Sequence, residues 1–148
     1  MRSISEQQKS IIIGTLLGDG YIYKDPYGGC RLEIKHSEKQ RDYVFWLHEA
    51  LQSVCPGEPK QRQDNQQWKF NTESNDDTKR FRKLFYPKDK KVIPRDISKI
   101  LVDPMSLAIW YMDDGSLDFR PKSHYAFSLK TNSFTLEECE LLTKVLVG

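Results

Sequence analysis

A chain of 148 residues is long enough to form one domain with its own core and needs no disulfide staples. Its 38% hydrophobic and 30% charged residues exclude a disordered chain, and no apolar run reaches the roughly 18 residues of a membrane helix. Cys30, Cys55 and Cys139 are widely spaced with no CxxC pair, which excludes a structural zinc site and fits a reducing, intracellular setting. The net charge is only +2, but its distribution is uneven. Lys79–Arg95 holds eight basic residues against Asp89, and the stretch Asp96–Asp118 holds five acids against Lys99. A basic belt beside an acidic cluster suits a protein that grips phosphates around a divalent cation.

In chain order, Ser3-x-x-Glu6 reads as a capping box opening an apolar helix through Leu17, which Gly18-Asp19-Gly20 stops. Tyr21–Lys24 and Cys30–His36 alternate as two strands around a Pro-Gly-rich turn, with Cys30, Leu32 and Ile34 on one face. Ser37-x-x-Gln40 opens a second helix with Val44, Leu47 and Leu51 on its buried stripe, ending at Pro56-Gly57. A second hairpin is expected from Lys60–Gln63 and Gln66–Thr72, followed by a short basic helix over Asp76–Phe85. Lys88–Val102 reads as a linker with one helical turn. Asp103-Pro104 then caps an apolar helix that runs into Asp113-Asp114-Gly115. A hairpin turning at 120–123 follows, and Thr135-x-x-Glu138 caps a helix bearing Leu141, Leu142, Val145 and Leu146. His36, His48 and His124 share no metal-ligand spacing and read as surface or groove residues, while Trp46, Trp68 and Trp110 read as packing residues.

A shift of 95 residues superimposes the two halves: Asp19 on Asp114, Gly20 on Gly115, Ile34 on Leu129, Leu47 on Leu142. The expected organisation is therefore a first α-β-β-α-containing repeat over 1–86, a linker over 87–103, and a partial second repeat over 104–148. The second copy stops before any counterpart of the second hairpin and third helix. Either the natural protein is longer, or two chains complete each other's sheets as a homodimer or by strand exchange.

Each repeat places one carboxylate, Asp19 or Asp114, where an apolar helix ends and a strand begins. Gly14-x-x-x-Gly18 lets the two helices approach closely, which sets their C-terminal ends side by side. Helix C-termini carry partial negative charge, so carboxylates there need a compensating cation. Paired Asp oxygens suit Mg²⁺ or another divalent cation, as two-metal phosphoryl transfer requires. Taken singly, each Asp-Gly is better read as a C-capping turn; two copies in one repeat register, flanked by basic segments, favour the metal site.

The segments Ile12-Ile-Gly-Thr-Leu-Leu-Gly-Asp-Gly20 and Leu107-Ala-Ile-Trp-Tyr-Met-Asp-Asp-Gly115 resemble the two signature helices of the LAGLIDADG homing endonucleases. Lys90-Lys-Val-Ile-Pro94 ahead of the second motif is similar to the two-motif, intron-encoded monomeric type. The resemblance implies an α+β fold in which duplicated αββα(ββα) repeats pack helices on a concave antiparallel DNA-binding sheet, the second repeat being incomplete here. It implies a site-specific double-strand DNA endonuclease with catalytic Asp19 and Asp114, one per strand. Gly18 and Asp113, at the seventh motif position, would lend backbone carbonyls to the metal. Lys91 would polarise the attacking water or stabilise the phosphorane. The family's second active-site lysine would fall beyond Gly148.

Strand alternation places Tyr21, Tyr23, Arg31, Glu33, Lys35, Arg62, Gln67, Lys69 and Asn71 on the face away from the helices, with Arg120, Lys122, Ser128 and Lys130 from the second copy. These residue types read major-groove edges or hold phosphates of double-stranded DNA. A non-cleaving binder of the same fold, either an intron-RNA maturase or a DNA-binding regulator, is the alternative. A mitochondrial or chloroplast location follows from the resemblance alone.

Overall fold

The computed structural model describes residues 4–120, 124–129, 131 and 134–147, without the side chains of 116–120 and 124–127. Helix α1 (Glu6–Leu17) begins at a capping box closed by Ser5 and Gln8, two residues after the expected Ser3–Glu6 pair, whose Ser3 lies outside the described residues. The register is decided by reach: the Ser5 hydroxyl accepts from the Gln8 N–H at 3.1 Å, and the Gln8 side chain accepts from the Ser5 N–H at 2.9 Å. Every residue from Ser10 to Leu17 is buried, on all sides of the helix, because α1 lies in the middle of the molecule.

Strands β1 (Tyr21–Lys24) and β2 (Cys30–His36) form a hairpin whose turn is fixed by Asp25, its Oδ1 accepting from the Tyr27 and Gly29 N–H groups. After a 3₁₀ turn at Glu38–Gln40, α2 (Arg41–Ala50) buries Val44 and Leu47, and Leu51 closes the stripe. It ends at Ala50 in a second 3₁₀ turn, six residues before the expected Pro56-Gly57 stop. The second hairpin is shorter than the alternation suggested, with β3 (Lys60–Gln61) and β4 (Trp68–Asn71). Asp64 is tied to Arg62 and Asn65 to Gln67, so side-chain bonds take the place of ladder pairs in the intervening turn. The sheet order is β1-β2-β4-β3, all antiparallel.

Helix α3 (Asp76–Phe85) starts at the Asn75–Thr78 capping box and lies against β1 and β2. Arg82 belongs to the basic belt, yet it turns inward, donating to the Ile22 carbonyl at 2.6 Å and stacking on the Tyr86 ring. The linker carries the single turn α4 (Ile97–Ile100). Helix α5 (Pro104–Asp114) follows from its Asp103 cap, then the two-stranded sheet β5 (Gly115–Arg120) and β6 (His124–Leu129), then α6 (Leu136–Val147) behind the Thr135–Glu138 box.

The internal repeat is legible in the ladder itself. Tyr21 pairs with Glu33 and Ile22 with Leu32; shifted by 95 residues, Ser116 pairs with Ser128 and Leu117 with Phe127. The described strands form two sheets, four strands in the first and two in the second, instead of one continuous surface. Three packing expectations change accordingly. Leu146 is 45% exposed although its counterpart Leu51 is fully buried. Trp46 is likewise largely exposed on the outer side of α2, and Trp68 is half-buried under Arg41, so only Trp110 of the three is core.

The centre of the fold is the α1–α5 pair. The helices run parallel: the Ser106 hydroxyl donates to the Ser10 carbonyl at 2.6 Å, Gly14 faces Ile109, and Gly18 faces Asp113. A Cβ on Gly14 would sit 2.6 Å from both the Ser106 carbonyl oxygen and Ile109 Cβ, so glycine sets the separation. Gly14→Ala is expected to cost about 1–3 kcal/mol of stability by overpacking. In a urea-unfolding cycle with Ile109→Ala, the double variant should lose less than the two single losses added together.

Candidate active site at the paired helix ends

Because α1 and α5 run in the same direction, their C-terminal turns lie together, and both chains leave them as strands. Asp19 and Asp114 stand at these tips. Their carboxyl groups are close enough to share a hydrogen bond, and Asp19 is half exposed. Burial first, then the Asp19 charge, push the Asp114 carboxyl up to about 6. Two like charges at two negative helix poles explain the direction.

Lys91 reaches this place from the linker. Its Nζ donates to the Gly18 carbonyl at 3.0 Å and to the Gly20 carbonyl at 2.5 Å, on either side of Asp19. Burial pulls the ammonium down to about 8, against the opposing pull of Asp19, Asp114 and Asp113. The Gly18 carbonyl, expected to face a metal, is here occupied by this lysine.

Asp113 differs from its neighbours. Its side chain is only 1% exposed, and its carboxylate accepts from the Asp19 N–H at 3.0 Å and the Tyr43 hydroxyl at 2.8 Å. His36 lies between the two repeats' acids, Nε2 3.5 Å from Asp113 and Nδ1 3.9 Å from Asp19. His36 is thus neither a surface nor a groove residue: it is 95% buried at the end of β2. Asp19, His36 and Asp113 offer ligand atoms within 4.8 Å of one another. Burial and the Asp113 charge push the Tyr43 phenol far above its usual range, so it stays a hydrogen-bond donor. Neither residue was singled out from the sequence. The available signal was parity, since His36 shares the core-facing alternation of Cys30, Leu32 and Ile34, and Tyr43 flanks the Val44–Leu47–Leu51 stripe.

The polar face of the four-stranded sheet assembles most of the expected strand residues. Tyr21, Glu33 and Asn71 form one cross-strand row, Tyr23 and Arg31 another. Lys35, Lys69 and Lys60 form a third, and Lys60 is an addition that the sequence reading missed because the β3 register is set by tertiary pairing. Three lysines opposite one another repel, and Glu33 relieves this only in part, 3.4 Å from Lys69 and 3.9 Å from Lys35. Arg62 is held by Asp64 in the turn, and Gln67 lies just before β4. Ser128 stands on β6 and Arg120 ends β5, its side chain outside the described residues; Lys122 and Lys130 lie outside them altogether.

The electrostatics set a stability prediction. A carboxyl raised to about 6 binds a proton in the folded state that the unfolded state, at 3.8, has released. Stability from this group is present below pH 4 and is lost as pH rises through 6. Discounted for its partial exposure, the penalty at pH 7 is about 1 kcal/mol. Asp114→Asn should therefore raise the metal-free melting temperature at pH 7 by about 2–4 °C, with the gain vanishing below pH 4.

With this geometry in view, a family model, a relative and a solved structure point to one family. The model of the LAGLIDADG DNA endonuclease family matches residues 9–147. DNA endonuclease I-ChuI of Chlamydomonas applanata is 32% identical over 150 aligned positions, covering 90% of this chain and 68% of its own. Cytochrome b mRNA maturase bI2 of Debaryomyces hansenii is 30% identical over 156 positions, covering 98% of this chain and 57% of its own. Among solved structures, homing endonuclease I-WcaI bound to its DNA recognition sequence superimposes with a TM-score of 0.82 at 25% identity, over 99% of this chain and 68% of that one. The chain thus spans about two thirds or less of these proteins' own lengths. Paired acid-tipped helices, the repeated hairpin register and these matches together carry the assignment: the chain belongs to the LAGLIDADG DNA endonuclease family.

Proposed function

We propose that this chain is a site-specific endonuclease that hydrolyses one phosphodiester on each strand of a DNA duplex, with Asp19 serving one strand and Asp114 the other. The observation that carries the reading is the pair of carboxyl groups brought together at two helix C-termini, with a buried lysine beside them. That donor set fits a hard divalent cation, Mg²⁺ in this proposal: oxygen ligands only, one from each tip, in a negative field that raises the Asp114 carboxyl. Asp19 and Asp114 would hold it, with the main-chain carbonyl of Asp113 as a further ligand; the Gly18 carbonyl would join them only on release of the Lys91 ammonium it accepts here. When bound, the cation supplies Lewis-acid stabilisation of the charge building on the phosphate oxygens.

The chain's own residues supply the rest. Lys91, anchored on two main-chain carbonyls, holds its ammonium beside Asp19, where it stabilises negative charge on the scissile phosphate. With its proton lost at about 8, the site keeps that charge at pH 7 and loses it above. Tyr21, Tyr23, Arg31, Glu33, Lys35, Arg62, Gln67, Lys69 and Asn71 read or hold the duplex, joined by Lys60 and by the second sheet. The mutual repulsion of Lys35, Lys69 and Lys60 supports this, because a polyanion relieves it. The repeat boundaries 1–86 and 104–148 and the linker 87–103 belong to the same proposal. So does an organellar origin, supported by the relative named as a cytochrome b mRNA maturase. That relative also favours a second reading, intron-RNA binding, for which two acids at the tips have no evident use.

Cleavage of a randomised duplex library with Mg²⁺ tests the first reading. Asp19→Asn and Asp114→Asn should each slow cleavage by about 10²–10³-fold without loss of binding. Undiminished cleavage by either variant contradicts it. Lys35→Gln, Lys60→Gln and Lys69→Gln should each weaken binding at low salt and reduce the slope of log affinity against log salt by about 0.9.

A further inference from the structure

From the buried contacts of Asp113 we infer that this side chain is a positioning strut for Asp19 and not a metal ligand, and that the strut exists on one side of the site only. This deepens the endonuclease reading and rests on it for its cleavage readout. The Asp113 carboxylate, 1% exposed, crosses from α5 to the tip of α1 and accepts the Asp19 main-chain N–H at 3.0 Å. Tyr43 holds it from α2 through Oδ1 at 2.8 Å, and the same hydroxyl lies 3.5 Å from the Ile109 carbonyl. The His36 ring packs 5.2 Å from the Tyr43 ring and presents Nε2 to the same oxygen. Each oxygen already accepts a protein donor and the side chain is shut off from solvent, so a hydrated cation has no open approach to it. Gly18 is the reason it fits: a Cβ there would lie 2.5 Å from the Asp113 side chain.

The 95-residue register shows that the arrangement is not reciprocated. The counterpart of Asp113 is Gly18, which has no side chain to return to the peptide of Asp114. The counterparts of His36 and Tyr43 are Thr131 and Glu138. Glu138 is already engaged by the Thr135 and Ile93 N–H groups, so it is not available as a second Tyr43. One catalytic carboxylate is therefore held through its own peptide by three side chains of both repeats, and the other is not.

The test separates positioning from general stability by following the two strands apart. In nicking assays on a cleaved duplex, Tyr43→Phe and Asp113→Ala should slow one strand about tenfold more than the other, the rate equivalent of one hydrogen bond to a charged acceptor. Asp113→Asn, which keeps an acceptor for the Asp19 N–H, should restore part of the balance. Equal slowing of both strands, or none, overturns the inference. Hydrogen exchange at the Asp19 amide gives a readout independent of cleavage: about tenfold faster exchange in Asp113→Ala supports the strut, and unchanged exchange overturns it. If the unmutated chain cuts neither strand, the endonuclease reading fails and the amide measurement alone decides the strut.

Discussion

The parallel contact between α1 and α5 is the constraint on which the rest of the molecule depends. Gly14 and Gly18 remove the side chains that would separate the helices, and Ile109 and Asp113 fill the space. Parallel packing at this distance has a geometric consequence: two C-termini, two departing strands and two Asp-Gly steps must share one end of the core. The buried face of the first sheet then covers the helix pair, with Ile22, Leu32, Ile34 and Phe70 in that layer. Each fully buried aliphatic in this layer is worth about 1.5–3 kcal/mol. That gain is what allows an electrostatically unfavourable tip to persist.

At the tip, electrostatics and packing divide the labour between three acids of similar chemistry. Asp19 is half exposed and Asp114 partly so, and burial together with the Asp19 charge holds a proton on Asp114 above the usual carboxylate range. Asp113, next to Asp114 in the chain, is buried and accepts from the Asp19 N–H and the Tyr43 hydroxyl. Exposure, more than residue type, separates the two groups able to meet a phosphate and a cation from the one that braces the Asp19 peptide. Lys91 enters from outside either repeat and bridges main-chain carbonyls on both sides of Asp19, so the linker is part of the site and not merely a tether.

Much of this was readable in the chain. The two Asp-Gly steps and the 95-residue register located the tips, and alternation put Leu32 and Ile34 inward and Arg31 and Glu33 outward, as the burial pattern has them. Local rules could not choose between two solutions a few residues apart: Ser3–Glu6 and Ser5–Gln8 offer similar caps in sequence, and the helix begins at Ser5 with the Ser5–Gln8 box closed. Tertiary contacts decided the remainder. His36 and Tyr43 carry no motif, and their meeting with Asp113 depends on β2, α2 and α5 converging, which no spacing encodes. Lys60 joined its row because β3 pairs with β4 over only two residues, too few to leave a periodic trace.

The central claim is that the paired carboxylates of Asp19 and Asp114 form a cation site while Asp113 does not. Crystals of the chain with a cleavable duplex, grown with Mn²⁺ and measured for its anomalous scattering, test this most directly. A peak in coordination contact with Asp19 and Asp114, with Asp113 still bonded to Tyr43, is the expected result. A peak ligated by His36 and the Asp113 side chain, or none between the two helix tips, would contradict it.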